Sequence, residues 1–371
     1  MVRAQTSRRW AAVAVGVSVL CALPVLASAL PVRGPALTAA QLRARILGSA
    51  PESYAGYAES NATFGLPPLS GLSSVTSLLD GVTKMRVWQA SPDRWRVDVL
   101  SDAGEKDTYQ AGNLEFQWNS GAQLLTEVLP SSGHGAVRLP RAADLVPPSL
   151  ALRVLAQASG HARYSTLPPL RVAGQSAAGL RVTPSDPAST VGQVDIWAEP
   201  STGLPLMVEV YGRGARTPAL QSQFFQVGPW RPDPNVLAAP PHGTPGSGFT
   251  IAAAGNLAGA LDNLLPGRLP GSLAGRPRVP PPPGFADVGL YGSGLTLFVV
   301  FPVRDGSFMA GARSAGGTPY SFPGGSGYLL SASLMNAVVA ESRDGTTFLL
   351  AGTVSGTVLL QAAVTLTEGA A

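Results

Sequence analysis

Five runs of about six residues alternate apolar and polar side chains with little between them: Lys84–Ala90, Trp95–Leu100, Lys106–Ala111, Leu114–Asn119 and Gln123–Leu129. The separators are Ser91-Pro92-Asp93, Ser101-Asp102-Ala103-Gly104, Gly112-Asn113 and Ser120-Gly121. Period-two alternation marks a strand with one buried face, and such short turns leave no room for a crossover helix. The segment can form only an antiparallel meander. Folds that hold a nucleotide at a βαβ unit are thereby excluded from it. The alternation predicts one shared face for Met85, Val87, Trp95, Val97, Val99, Tyr109, Leu114, Phe116, Trp118, Leu124 and Val128. Arg86, Arg96, Asp98, Thr108, Glu115, Gln117 and Glu127 fall on a face predicted to be solvated.

Helices are expected to be few. Thr38 followed three residues later by Gln41 is a capping-box pattern and opens a short helix to Leu47. Tyr54–Phe64 reads as a strand, 66–81 as a loop with a helical turn at Val75–Leu79. Pro147-Pro148 marks the entry to a second amphipathic helix, Ser149–Ala158. Strands follow at Leu170–Ala173, Gly179–Thr183, Val194–Glu199, Pro205–Tyr211 and Leu220–Val227. Glycine and proline number 43 and 34, and they concentrate between Pro229 and Gly284, including Pro280–Pro283. That stretch is expected to be an extended linker, with one short helix over Ala252–Leu265. Beyond Phe285 the pattern predicts strands at Val288–Tyr291, Thr296–Pro302, Thr318–Phe322, Tyr328–Glu341 and Thr347–Ala351, then a helix at Ser355–Leu366. The expected domains are a signal over 1–29, a first domain over 30–243, a linker over 244–284 and a small β-rich domain over 285–371.

The N-terminus reads as an export signal. Arg8 and Arg9 precede an uncharged stretch from Trp10 to Val32, and Ala27-Ser28-Ala29 is a small-x-small cleavage site. The stretch is also long enough to serve as an uncleaved anchor, although Pro24 favours cleavage. An extracytoplasmic location is expected in either case. Cys21, the only cysteine, follows a poor lipobox and would be lost on cleavage after Ala29, leaving neither disulfide nor thiolate. Removing Arg3, Arg8 and Arg9 from the 26 basic residues leaves 23 against 22 acidic ones. A nearly neutral mature chain with no basic cluster is not a nucleic-acid binder, since phosphate neutralisation needs a surplus of cations.

Catalytic chemistry has little to stand on. The histidines are His134, His161 and His242, far apart and beside loops, so no metal site is expected. Gly324-Gly325-Ser326-Gly327 misses the last glycine of a nucleophile elbow and reads as a hairpin tip. No phosphate-binding or dinucleotide motif occurs. Asn61-Ala62-Thr63 fits a glycosylation sequon, a triplet that arises often by chance. The chain is expected not to be an enzyme and to need no cofactor. The positive signal is a one-sided apolar sheet with few helices to cover it. By residue pattern alone a plain closed core is preferred over a concavity for an acyl chain or apolar peptide; Trp95, Trp118, Phe116 and Phe224 fit either.

Met85-Arg86-Val87-Trp88, Ser91-Pro92-Asp93-Arg94-Trp95-Arg96-Val97, Val194-Asp195-Ile196-Trp197 and Ser201-Thr202-Gly203-Leu204-Pro205, with Ala239-Pro240-Pro241-His242-Gly243, resemble the LolA/LolB-like lipoprotein-carrier superfamily over about 36–243. Val236-Leu237-Ala238 replaces the aromatic that many members carry before the proline pair. The added proline-rich segment and β-rich domain, with Leu349-Leu350-Ala351-Gly352-Thr353-Val354-Ser355 and a closing helix, are similar to RseB/MucB-type regulators of actinobacterial kind. The resemblance implies an α+β, β-rich fold: a curved antiparallel half-barrel with lid helices over an apolar cavity, plus a small β-rich C-terminal domain. It also implies a non-enzymatic sensor that binds a lipid-like signal and a membrane anti-sigma factor, or else a carrier of lipid or lipoprotein acyl chains. It tips the choice towards a cavity. Val87, Val97, Val99, Phe116, Trp118, Val194, Ile196, Val208 and Phe224 are the residues expected to line its concave side.

Overall fold

The computed structural model describes residues 37–65, 73–102, 104–129, 140–228, 230–241, 246–253, 269–280, 288–303 and 307–369. The expected signal, the loop 66–72, His134, His242 and most of the predicted helix at 252–265 lie outside these residues. Among the described residues no helix is long and apolar enough to cross a membrane.

Helix α1 (Ala39–Gly48) begins where the capping box places it. The Thr38 hydroxyl accepts from the Gln41 amide N–H while Gln41 Oε1 accepts from the Thr38 N–H. Strand β1 (Tyr54–Thr63) and a short helix α2 (Ser73–Leu79) lead into the meander: β2 (Asp80–Ser91), β3 (Arg94–Ser101), β4 (Gly104–Ala111), β5 (Leu114–Asn119) and β6 (Leu124–Leu129). A 3-10 turn (Ala142–Leu145) enters helix α3 (Pro147–Gln157), whose two leading prolines occupy positions with no intrahelical N–H to lose. Strands β7 (Ala162–Val172), β8 (Gln175–Pro184), β9 (Val191–Ala198), β10 (Pro205–Gly212) and β11 (Leu220–Gly228) follow.

The first sheet runs β12-β6-β5-β4-β3-β2-β1-β11-β10-β9-β8-β7. Its β1 lies between β2 and β11, joining two meanders that are distant in sequence. Strand β12 (Gly248–Ala253) pairs in parallel with β6, the one parallel neighbour among these strands. The predicted linker 244–284 thus supplies an edge strand to the first sheet. It also supplies β13 (Ser272–Leu273) and β14 (Arg276–Val279) to the second. Short strands among glycines and prolines carry too little period-two alternation to stand out from a linker.

The second sheet runs β13-β14-β15-β16-β20-β19-β18-β17, with β15 (Gly289–Ser293), β16 (Thr296–Val303), β17 (Thr318–Phe322), β18 (Gly325–Ser331), β19 (Asn336–Ser342) and β20 (Thr347–Gly352). The expected run Tyr328–Glu341 is two strands around a turn at 332–335. Helix α4 (Ser307–Ser314) was not expected, and α5 (Gly356–Gly369) packs Leu359, Ala362, Ala363 and Leu366 onto Val338, Ala340 and Leu350.

Helices α1 and α3 cover one face of β1–β3 and β7–β11. There Leu42, Ile46, Val154 and Leu155 meet Ala58, Met85, Leu180, Ile196 and Val208 in a single buried cluster. The turn between β9 and β10 fastens α1 to this sheet. Gly203 has φ +79, and a Cβ there would run into the Arg45 carbonyl at the end of α1; Arg45 in turn donates to the Pro200 carbonyl. Gly203→Ala combines left-handed strain with that collision, so it is expected to cost about 2 kcal/mol or more. A denaturation midpoint equal to that of the parent chain would refute this.

The sheets are joined by backbone as well as side chains. Thr190 N–H donates to Thr353 O (3.1 Å), Ser355 N–H to Ala188 O (2.8 Å) and Ser333 N–H to Phe64 O (3.1 Å). Ser189 and Val354 form an antiparallel bridge. Arg276 pairs with Asp186 and holds its carboxyl below the usual range. Leu334, in the turn between β18 and β19, is buried in the core of the first sheet.

Candidate functional site

The strand register decides which predicted residues can meet. Met85 faces Val99 and Val87 faces Val97 across β2 and β3. Phe224 faces Ala58, Val208 faces Ser222 and Ile196 faces Val208, which carries the same face through β11, β10 and β9. Val87, Val97, Val99, Val194, Ile196, Val208 and Phe224 therefore share the helix-covered face.

Phe116 and Trp118 do not. The turn after β3 pairs Ser101 with Gly104, so Val97 stands opposite Thr108 while Arg96 stands opposite Tyr109. The next turn pairs Ala111 with Leu114, setting Tyr109 opposite Phe116 and Asp107 opposite Trp118. The apolar series changes face between β3 and β4. Tyr109, Leu114, Phe116 and Trp118 accordingly join Trp88 and Arg96 on the other side, and Phe116 and Trp118 are only half-buried there. Nor is that side plainly solvated: Asp98 is 1% exposed, and the segment after β11 meets it where Val236 O accepts from Arg96.

On the helix-covered face, Val87, Val97, Val194, Ile196, Val208 and Phe224 are all buried in one continuous core, and Val99 packs against it. Phe224 meets Tyr54 edge-to-face, with ring centroids 5.8 Å apart. The centre of the sheet is closed. Space remains at its β2–β3 end, where a cleft of about 170 Å³ lies beside the 3-10 turn and the start of α3. Tyr54, Val87, Trp95 and Val97 form its apolar wall, and Gln89, Arg141, Asp144, Ser149 and Arg153 its polar side.

Asp144 organises the polar side. It accepts from the Arg141 backbone N–H (3.0 Å) and from Arg153 (2.7 Å), fixing the turn against the helix. Ser222 donates to Leu145 O (2.5 Å), pinning the turn to β11. The Arg141 guanidinium pairs with Glu115 and lies 4.8 Å from the Trp95 ring centroid. Burial lowers its pKa against the pull of Asp144, but an arginine there stays charged. Tyr54 donates to Gln89 (3.2 Å), and burial pushes its phenol well up. Among the described residues lining the cleft Asp144 is the one acidic side chain, and it is held by Arg153. The arrangement suits an uncharged apolar group bearing a polar end, the chain lying against Trp95, Val87 and Val97 and the polar end meeting the arginines.

Two of the nine predicted residues, Val87 and Val97, line this cleft. Trp95 was placed on the correct face. Arg141, Asp144 and Arg153 were not anticipated; the three-residue spacing from Arg141 to Asp144 before Pro147-Pro148 is the pattern that could have marked a capped turn.

No protein-family model and no curated protein matches the chain. Among solved structures, MucB in the MucA/MucB complex of Pseudomonas aeruginosa is similar at 16% identity and TM-score 0.49, covering 88% of this chain and 97% of that one. A structure of MucB alone aligns at 17% identity and TM-score 0.44, covering 88% and 96%. A LolA-superfamily protein from Nitrosomonas europaea aligns at 12% identity and TM-score 0.24, covering 55% and 99%. The architecture is β-rich with few helices: a large open β-sheet helix-covered on one face, joined to a second, eight-stranded sheet.

Proposed function

We propose that this chain is an RseB-like, non-enzymatic regulator of the cell envelope that takes the apolar end of a lipid-like signal and binds a membrane anti-sigma factor. The observation that carries the reading is the cleft between Trp95, Val87 and Val97 on one side and Arg141 and Arg153 on the other. Each methylene buried there contributes about 0.8 kcal/mol before ordering costs. At about 170 Å³ the cleft is smaller than the roughly 300–1,000 Å³ of ordinary ligand pockets, so it takes the end of a chain as it stands. A whole acyl chain requires the 3-10 turn and α3 to move off β2 and β3. The second reading is a lipid or lipoprotein carrier. The backbone seam between the sheets favours the regulator, because a carrier has no use for a rigidly docked second domain.

The test is native mass spectrometry with lipid extraction on the chain from Leu30 purified from its own host. A near-stoichiometric acyl lipid is the expected result. Trp95→Ala is expected to lower uptake of a fluorescent fatty acid at least several-fold, and Val97→Glu to abolish it with the second sheet still folded. An empty chain that takes up no fatty acid, or equal uptake by both variants, would remove the ligand from this reading.

A further inference from the structure

On the face of the sheet away from the helices, Asp98, Glu105 and Asp107 bring one carboxylate oxygen each to within 4.8 Å of one another. Asp98 and Asp107 face each other across β3 and β4, and Glu105 faces Leu100 two pairs further on, on the same face. Asp98 is 1% exposed and Asp107 4%. Among the described residues Arg96 is the one base paired with them: its Nε donates to Asp98 Oδ1 (2.5 Å) and an Nη to Asp107 Oδ2 (2.9 Å), with Glu105 3.8 Å away. Tyr109 also donates to Asp107 Oδ2 (3.1 Å). The guanidinium is also held in contact with two rings, 5.2 Å from the Trp88 ring centroid and 4.9 Å from that of Tyr109, and donates to Val236 O.

That leaves Asp98 Oδ2 and Asp107 Oδ1, both buried, with no hydrogen-bond donor among the described residues. Among the described residues Arg96 alone is ion-paired with the three carboxyl groups, and buried carboxylate oxygens without a donor are costly. A doubly charged ion between them gives those oxygens a partner. We propose that Asp98, Glu105 and Asp107 bind one hard divalent cation of the calcium class. The donor set is all oxygen, which selects calcium, magnesium or manganese over softer metals. Glu105, a third exposed, leaves the site open to solvent for entry and for water ligands. The site is separate from the cleft, on the opposite face of the sheet.

Terbium(III) is a suitable probe, because Trp88 and Tyr109 beside the site can sensitise its luminescence. Titration of the full mature chain is expected to give saturable emission at one equivalent, displaced by calcium chloride, together with a calcium-dependent rise in Tm. Glu105→Gln, the least buried of the three, is expected to weaken both by about tenfold or more. Absence of sensitised emission from the parent chain would overturn the proposal and leave a shared proton between Asp98 and Asp107. Emission and a Tm rise unaltered in Glu105→Gln would overturn it equally, as ion binding elsewhere.

Discussion

Leu334→Asp is expected to part the two sheets while leaving each folded. Leu334 belongs by sequence to the second sheet yet is buried among the side chains of the first. Its own carbonyl accepts from the Thr190 hydroxyl (2.5 Å), and the adjacent Ser333 hydroxyl donates to Thr63 O (2.8 Å). An aspartate there would stand in the apolar core of the first sheet, and burying an unpaired carboxylate costs several kcal/mol. Undocking avoids that cost. Tyr291, Phe298, Leu350 and Leu359 give the second sheet a core of its own, which does not depend on Leu334. Calorimetry should then show two transitions where the parent chain shows one, and small-angle scattering a larger radius of gyration. If the regulator reading holds, ligand uptake survives in this variant while binding of the protein partner is lost. One unaltered transition at the parent Tm would mean that Leu334 does not hold the sheets together.

Phe224→Ala is expected to lower stability by about 3–5 kcal/mol, the usual range for removing a buried aromatic. Phe224 is 1% exposed and stands on β11, which binds β1 on one side and β10 on the other. Its edge-to-face partner Tyr54 would lose the ring and face a void. At about 2–4 °C per kcal/mol for a domain of this size, Tm should fall by roughly 6–20 °C. Urea unfolding with an unchanged slope would confirm a pure stability effect. A loss below about 1 kcal/mol combined with greater fatty-acid uptake would show instead that Phe224 walls a cavity, reopening the centre of the sheet as a ligand site.

The contrast between Val97 and Trp118 shows what was legible. Alternation placed both on strands within a residue of their true ends, because period two is local and survives without knowledge of the partner strand. Which face a strand turns to the helices is not local. It depends on the parity of each hairpin turn and on irregularities such as the register shift between Gln89 and Ser91. A two-residue turn pairs Ser101 with Gly104, and that single fact moved Tyr109, Phe116 and Trp118 to the other side. The capped helix at Thr38 and the proline-led helix at 147 were readable for the same local reason. The strand at 248–253 was not, because its pairing with β6 is long-range and its run of Phe249, Ile251 and Ala252 sits between glycine-rich stretches. At the cleft, the apolar wall announced itself through alternation. Arg141 and Arg153 did not, since nothing in the sequence separates an arginine half-buried over Trp95 from one in water.

The position of β1 carries a consequence for the order of events when the chain is made. Tyr54–Thr63 is among the first strands to be synthesised, and Ala62 pairs with Leu220. Until β11 exists, one whole side of β1 offers unpaired N–H and C=O groups, the condition that invites strand addition by other chains. Such distant pairing makes folding slow, because the loop must close before the contacts repay it. The first meander can form early on the opposite side of β1, but α3, docked mainly on β10 and β11, lacks those partners until synthesis passes Gly228. A truncated product ending before Leu220 is therefore a sticky half-sheet rather than a smaller version of the protein. Synthesis and assembly of this chain are tied together through a single strand, and β11 is the step that commits it.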